Sequence, residues 1–181
     1  MLKPSFKKPS NIKYKQKLTK AFVVGTSLIE VLVSLLILSG GLMGMAGVQA
    51  VSLRNNQSAY FRTQATTLTL DIIERMRANK TGVDNGAYDN AAGAATASCF
   101  TTGGCTAAEM AAQDVLDWSA MVAAALPGGA GVLCLDSTGD DGTPGAPACD
   151  STGSVYAIKI WWDDDRDGVS NARYVTTMQP L

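Results

Sequence analysis

The sequence predicts an α+β fold in which a long N-terminal α-helix precedes a small C-terminal antiparallel β-sheet. The helix is predicted by an apolar run with no charged side chain from Val31 to Leu53, followed by an apolar stripe at helical spacing. The sheet is predicted by two segments rich in strand-forming residues, 154–162 and 173–178, which an acidic loop joins as a hairpin.

The first 25 residues differ in composition from the rest of the chain. They hold seven lysines and no acidic residue, whereas the remainder has 16 acidic and eight basic residues, a net charge of −8. A basic stretch ahead of an apolar segment is typical of a targeting sequence, and it keeps its side of a membrane in the cytoplasm. We therefore expect residues 1–25 to be a leader and the acidic remainder to be exported and not to bind nucleic acid.

Glu30 is the single charged residue between this leader and Arg54. The apolar run is long enough to cross a bilayer, which takes about 20 residues. A carboxylate inside such a run costs about 2.5–3.5 kcal/mol on insertion scales and therefore marks a functional site. If the chain is cut after Gly25, the new α-amine of Thr26 lies about one helical turn from Glu30. The amine of a neighbouring copy can then pair with this carboxylate in an apolar environment.

Residues 25–33, GTSLIEVLV, resemble the class III signal of type IV pilins and pseudopilins. The resemblance implies that a prepilin peptidase cleaves after Gly25 and methylates the new N-terminus at Thr26, and that Glu30 guides subunit docking. Residues 56–65 and 71–79 also look like the corresponding helix of minor pilins from type IVa pili. The resemblance therefore covers about residues 25–80 and implies the type IV pilin fold.

The helical stripe extends the predicted helix well beyond the apolar run. Residues 79–82, Asn-Lys-Thr-Gly, are typical of a helix end. We expect residues 26–80 to form a stalk helix, with 26–53 as its transmembrane or filament-core part, and residues 81–181 to form a disulfide-bonded head. The stripe consists of Leu53, Gln57, Phe61, Ala65, Leu68, Ile72 and Met76.

The predicted head starts with a segment that offers few side chains for burial. Residues 81–105 are rich in Gly, Ala, Ser, Thr and Asn and predict a loop. Thr106 and Glu109 then form a capping box, which predicts a helix to about Leu126 with Trp118 as a core anchor. A short strand is predicted at 132–135, and with the hairpin it forms a sheet against the long helix.

All four cysteines follow the apolar segment. An even number in an exported domain indicates disulfide bonds, and four cysteines allow three connectivities. Proximity favours Cys99–Cys105 and Cys134–Cys149, while Cys105–Cys134, which would clamp the predicted helix to the first strand, remains an alternative. The chain has no histidine, which excludes Ser-His-Asp and Cys-His catalysis and histidine metal sites. We expect neither enzyme activity nor a cofactor.

Asp163, Asp165 and Asp167 have the spacing that begins a calcium loop, but Tyr174 stands where the twelfth position requires glutamate. We therefore interpret them as a charged hairpin turn that protects strand edges, with calcium binding as the alternative. A second candidate oxygen cluster consists of Asp136, Asp140 and Asp141.

These patterns predict a subunit that associates with other proteins. We expect a minor pilin that primes or co-assembles into type IV pilus filaments, with prepilin peptidase, other minor and major pilins and the inner-membrane assembly platform as partners. It would span the inner membrane of a bacterium once, with a cytoplasmic N-terminus and a periplasmic head, before reaching the pilus on the cell surface. The alternatives are a minor pseudopilin of type II secretion and a monomeric membrane-anchored periplasmic binding protein. Two alternatives to prepilin processing at the N-terminus are ordinary signal cleavage after Ala50 and an uncleaved membrane anchor.

Overall fold

A computed structural model describes Gly25 and residues 27–179 and shows an α+β protein. It confirms the predicted long N-terminal helix and small antiparallel sheet. The predicted leader residues 1–24 and the methylation site Thr26 lie outside the described residues. The elements in chain order are α1 (Leu28–Ala78), α2 (Lys80–Asp84), a 3₁₀-helix (Ala97–Phe100), α3 (Ala107–Ala125), β1 (Ala130–Leu135), β2 (Tyr156–Trp162) and β3 (Ala172–Met178).

The chain divides into two units between Met45 and Ala46, within α1. In the first unit, every described residue is exposed. In the second unit, Phe61 is the first buried residue of α1. From there the predicted stripe is buried, because Ala65, Ile72 and Met76 are fully enclosed. The second unit therefore contains the hydrophobic core.

The sheet has the order β1-β2-β3, and both strand pairs are antiparallel. Ile158 of β2 pairs with Leu133 of β1 and with Thr176 of β3. The strands alternate their side chains between two faces. One face contributes Tyr156, Ile158, Ile160 and Trp162 to the core with α1 and α3.

Trp118 anchors α3 in this core, as predicted. The capping box of Thr106 and Glu109 starts α3, and both of its hydrogen bonds are present. The indole of Trp118 is fully buried, and its Nε1 donates a hydrogen bond to the carbonyl oxygen of Leu68 in α1 at 2.9 Å. A Cβ added to Gly131 of β1 would lie 2.6 Å from the indole ring, so the strand approaches Trp118 too closely for a side chain.

The prediction of a plain loop over residues 81–105 is wrong in two places. A short helix, α2, follows α1 directly, and the Asn79 side chain caps it by accepting a hydrogen bond from the Gly82 amide. Tyr88 is fully buried. Its hydroxyl donates to Asp114 Oδ2 at 2.7 Å and accepts from Asn79 Nδ2 at 3.1 Å. A tyrosine can enter the core here because its polar end finds partners on distant elements.

β2 is buried on both faces, unlike an ordinary half-exposed strand. The segment between β1 and β2 folds over the face opposite the core. Gly139 of this segment lies close to Ala157, with a built Cβ only 3.3 Å from the Ala157 Cβ. We call residues 136–149 the covering loop, and it is closed near its ends by the Cys134–Cys149 disulfide bond.

Candidate functional site

The predicted processing and docking residues lie at the start of α1. Gly25 is exposed just before the helix, and Glu30 lies in its first turn. The Glu30 amide donates to the Ser27 carbonyl at 2.9 Å, and the Glu30 carbonyl accepts from Ser34 Oγ at 2.7 Å. No ion pair involves Glu30 anywhere in the part of the chain that the structure describes. Among the described residues, the Glu30 carboxylate therefore has no cationic partner.

The helix around Glu30 presents an unusually apolar surface. Fifteen large apolar side chains between Leu28 and Leu53 are exposed. By length and composition α1 contains a segment able to cross a membrane, and none of that segment is buried. Monomeric soluble proteins rarely expose apolar patches of more than a few hundred Å². This surface therefore requires lipid or other apolar helices around it.

The four cysteines form two disulfide bonds in the structure, Cys99–Cys105 and Cys134–Cys149. The first closes a short loop that begins within the 3₁₀-helix and contains the exposed Phe100. The second fixes the covering loop to β1. Each bond ties a residue of a regular element, Cys99 of the 3₁₀-helix or Cys134 of β1, to the loop that follows it, and so reduces the conformational freedom of the unfolded chain.

The candidate calcium residues lie together in the β2–β3 turn. One carboxylate oxygen from each of Asp163, Asp165 and Asp167 lies within 4.8 Å of the others. Asp163 is buried and accepts hydrogen bonds from the amides of Asp167 at 3.1 Å and Gly168 at 2.8 Å. Burial opposes ionisation of Asp163, but these backbone hydrogen bonds outweigh it and hold its pKa below the ordinary value. Asp163 therefore organises the turn.

The second predicted oxygen cluster is bound by cationic side chains of the chain itself. Lys159 Nζ lies 2.5 Å from Asp136 Oδ2 and 2.8 Å from Asp141 Oδ1. Arg173 contacts Asp140 at 2.7 Å. Since protein cations already occupy these carboxylates, the cluster is an ion-pair network and not the open oxygen site that the spacing suggested.

Lys159 is the residue of this network that the sequence reasoning missed. Its side chain is fully buried, as is that of Asp136. Burial lowers the pKa of Lys159, but the two carboxylates more than compensate and leave it above the ordinary value. The hydrogen bond from Lys159 in turn lowers the pKa of Asp141. The sequence signal that could have identified it is a single lysine among the apolar and aromatic residues of the strand 156–162.

A comparison with family models finds one match. Residues 47–116 match a model described as Tt1218-like, Type IV pilin Tt1218. The match supports a type IV pilin. It covers 70 of the 181 residues, from Gly47 in α1 to Leu116 in α3, and does not include Glu30. Together with the long apolar helix and the three-stranded sheet, it is consistent with the type IV pilin fold, and the matched family is structural and not enzymatic. No curated protein and no solved structure matches the chain.

Proposed function

We propose that this protein is a minor pilin that primes or co-assembles into type IV pilus filaments. The observation that carries the proposal is the match of residues 47–116 to a type IV pilin family, on a chain whose α1 exposes a long apolar surface. The likeness of residues 56–65 and 71–79 to the minor pilin PilV supports a role in priming assembly, and so in adhesion, motility or DNA uptake.

Processing would create the positive charge with which the Glu30 carboxylate of a neighbouring subunit pairs. Prepilin peptidase cuts after Gly25 and methylates the amine of Thr26, which is outside the described residues. The positive N-terminus of one subunit then pairs with Glu30 of a neighbour. In an apolar filament core this attraction is poorly screened, and it offsets the desolvation of both charges only when they meet closely. The pair therefore selects one register between subunits.

The exposed apolar surface of α1 would have two successive environments. Before assembly it spans the inner membrane of a bacterium, with the lysine-rich leader in the cytoplasm. During assembly it passes into a core of similar helices from other minor and major pilins, guided by the inner-membrane platform. The second unit, which we call the globular unit, contains both disulfide bonds. It folds in the oxidising periplasm and later faces outward on the pilus.

Mass spectrometry of the N-terminal peptide from a native membrane fraction tests this function directly. A peptide that begins with methylated Thr26 supports prepilin processing. An N-terminus at Met1 or at Val51 contradicts it, because the chain would then be an uncleaved anchor or an ordinary secreted protein.

A second test concerns Glu30 and has a matched control on the same helix. Glu30→Gln should leave the protein in the membrane but remove it from filaments, measured in sheared surface fractions. Glu74→Gln changes another exposed carboxylate of α1, which pairs with Arg77 in the same chain, and should have no effect. Normal filament incorporation of Glu30→Gln would favour a monomeric membrane-anchored binding protein.

Deletion of the gene separates the two filament systems. Loss of surface pili with normal protein secretion supports the pilus. Loss of secretion with normal pili would instead identify a minor pseudopilin of type II secretion.

A further inference from the structure

The buried contact between Lys159 and Asp136 brings an amine and a carboxyl group together in surroundings that favour a reaction between them. Both side chains are fully buried. Lys159 pairs with Val132 of β1 and Val175 of β3, so these apolar side chains point to the same face of the sheet. The covering loop closes this face. The site excludes water from both groups, while the neighbouring carboxylates hold the pKa of Lys159 above its ordinary value, so the reaction starts from the ion pair.

Lys159 Nζ donates its hydrogen bonds to acceptors other than Asp136, although Asp136 Oδ2 is the closest oxygen. Nζ donates to Asp141 Oδ1 at 2.8 Å, to the Pro147 carbonyl at 2.8 Å and to the Asp141 carbonyl at 3.4 Å. Asp136 Oδ2 lies 2.5 Å from Nζ, yet it is buried without a hydrogen bond of acceptable geometry. The amine therefore approaches Asp136 in contact distance while its protons point to other acceptors.

We propose that Lys159 and Asp136 condense into an intramolecular amide that joins β2 to the residue following β1. This inference concerns the globular unit alone and is independent of the proposed pilin function.

The reaction balances without any additional reagent. An ammonium group and a carboxylate together have the atoms and charge of one amide and one water molecule. The Lys159 ammonium first passes one proton to its hydrogen-bond acceptor Asp141 Oδ1, and this proton then reaches the Asp136 carboxylate, so both reacting groups become neutral. The Nζ lone pair then attacks Asp136 Cγ, a C–N bond forms, and the Cγ–O bond breaks. Nothing is oxidised or reduced.

Asp141 provides the proton carrier for this reaction. Its Oδ1 accepts a hydrogen bond from the attacking nitrogen at 2.8 Å, within the reach that general acid–base catalysis needs. It takes the proton that Nζ loses on attack and returns it to the departing hydroxyl, which leaves as water. Its side chain is 44 % exposed, so this water has a route to solvent. Activation of a desolvated lysine by a positioned base follows the general pattern for nucleophilic amines.

The sequence makes the product easy to recognise. After Lys80, trypsin can next cut at Lys159 and then at Arg166, so the unmodified chain gives peptides 81–159 and 160–166. An amide at Lys159 blocks its cut. The full-length protein, purified from detergent, reduced and fully denatured before digestion, should then yield a single peptide 81–166 that lacks one water molecule.

Three outcomes contradict the proposal. The first is complete cleavage at Lys159, which shows an ion pair only. The second is peptide 81–166 at full mass, which shows incomplete digestion. The third is loss of water at Asp141–Gly142 with normal cleavage at Lys159, which shows succinimide formation. Fragmentation must place the new bond between Lys159 and Asp136.

Variants assign the roles of the two carboxylates. Asp136→Ala removes the acyl group and should restore complete cleavage at Lys159. Asp141→Asn keeps the shape but removes the proton carrier, so the dehydrated peptide should fall severalfold. Asp84→Ala is the matched control, because Asp84 and Lys80 form an exposed ion pair in which the charged forms are fully solvated. This variant should retain the dehydrated peptide, and the wild-type mass remains decisive if another variant does not fold.

Discussion

Replacement of Gly131 by alanine tests the packing of β1 against α3. The added Cβ would lie 2.6, 2.8 and 3.2 Å from three atoms of the Trp118 ring. The ring cannot move aside easily, because it is fully buried and its Nε1 is held by the Leu68 carbonyl at 2.9 Å. Overpacking of this kind costs about 1–3 kcal/mol. With a urea slope of about 1–3 kcal/mol per M, the midpoint should fall by roughly 1 M.

Tryptophan fluorescence is a suitable assay for this change. All three tryptophans, Trp118, Trp161 and Trp162, are buried in the second unit, so their emission reports unfolding of the globular part. Gly145→Ala is the control, since a Cβ there meets nothing within 4 Å. If Gly131→Ala unfolds at the same urea concentration as Gly145→Ala, the close approach of β1 to Trp118 is refuted. A Gly131→Ala/Trp118→Phe double variant should lose less stability than the two single changes together, because they share one contact.

Three further changes probe other contacts of the globular unit. Tyr88→Phe removes the buried hydrogen bonds to Asp114 and Asn79 and should cost about 1–3 kcal/mol in urea unfolding; an unchanged midpoint would show that the network does not stabilise the fold. Cys134 and Cys149 lie 15 positions apart, so opening their loop by serine replacement should cost about 3 kcal/mol by the loop-entropy model. No change in the melting curve would contradict the role given to this bond. The folded-state pKa of Asp163 lies below its unfolded value, so its stabilisation is present above the unfolded pKa and is lost as pH falls through the folded pKa. When the pH is lowered from 5 to 3, the urea midpoint should therefore fall less in Asp163→Asn than in the wild-type protein. An equal decrease in the two proteins would refute this.

The sequence was most informative where structure depends on local pattern. The uncharged run, the stripe through Phe61 and Met76 and the capping box at Thr106 are all readable within a few turns of helix, and they located α1 and α3 closely. Tyr88 and Lys159 show the limit of this reasoning. Each is buried only because polar partners arrive from elements distant along the chain, Asp114 for the tyrosine and the covering loop for the lysine.

The covering loop explains why two acidic clusters with similar composition differ in role. In the β2–β3 turn, Asp163 accepts hydrogen bonds from backbone amides of its own loop, which organise the turn locally. In the covering loop, Asp136 and Asp141 have no such complete local arrangement and meet Lys159 from β2. A polar, glycine-rich loop cannot bury much apolar surface, and a buried charge requires a close partner. Lys159, Arg173 and the Cys134–Cys149 bond therefore hold this loop against the sheet. Of these, Lys159 is the fully buried side chain, and its removal should expose Trp161 and Ala157 to solvent. Increased quenching of tryptophan emission by acrylamide in Lys159→Met would show this exposure. Unchanged quenching would mean that the disulfide bond and the Arg173 contacts keep the loop in place without the lysine.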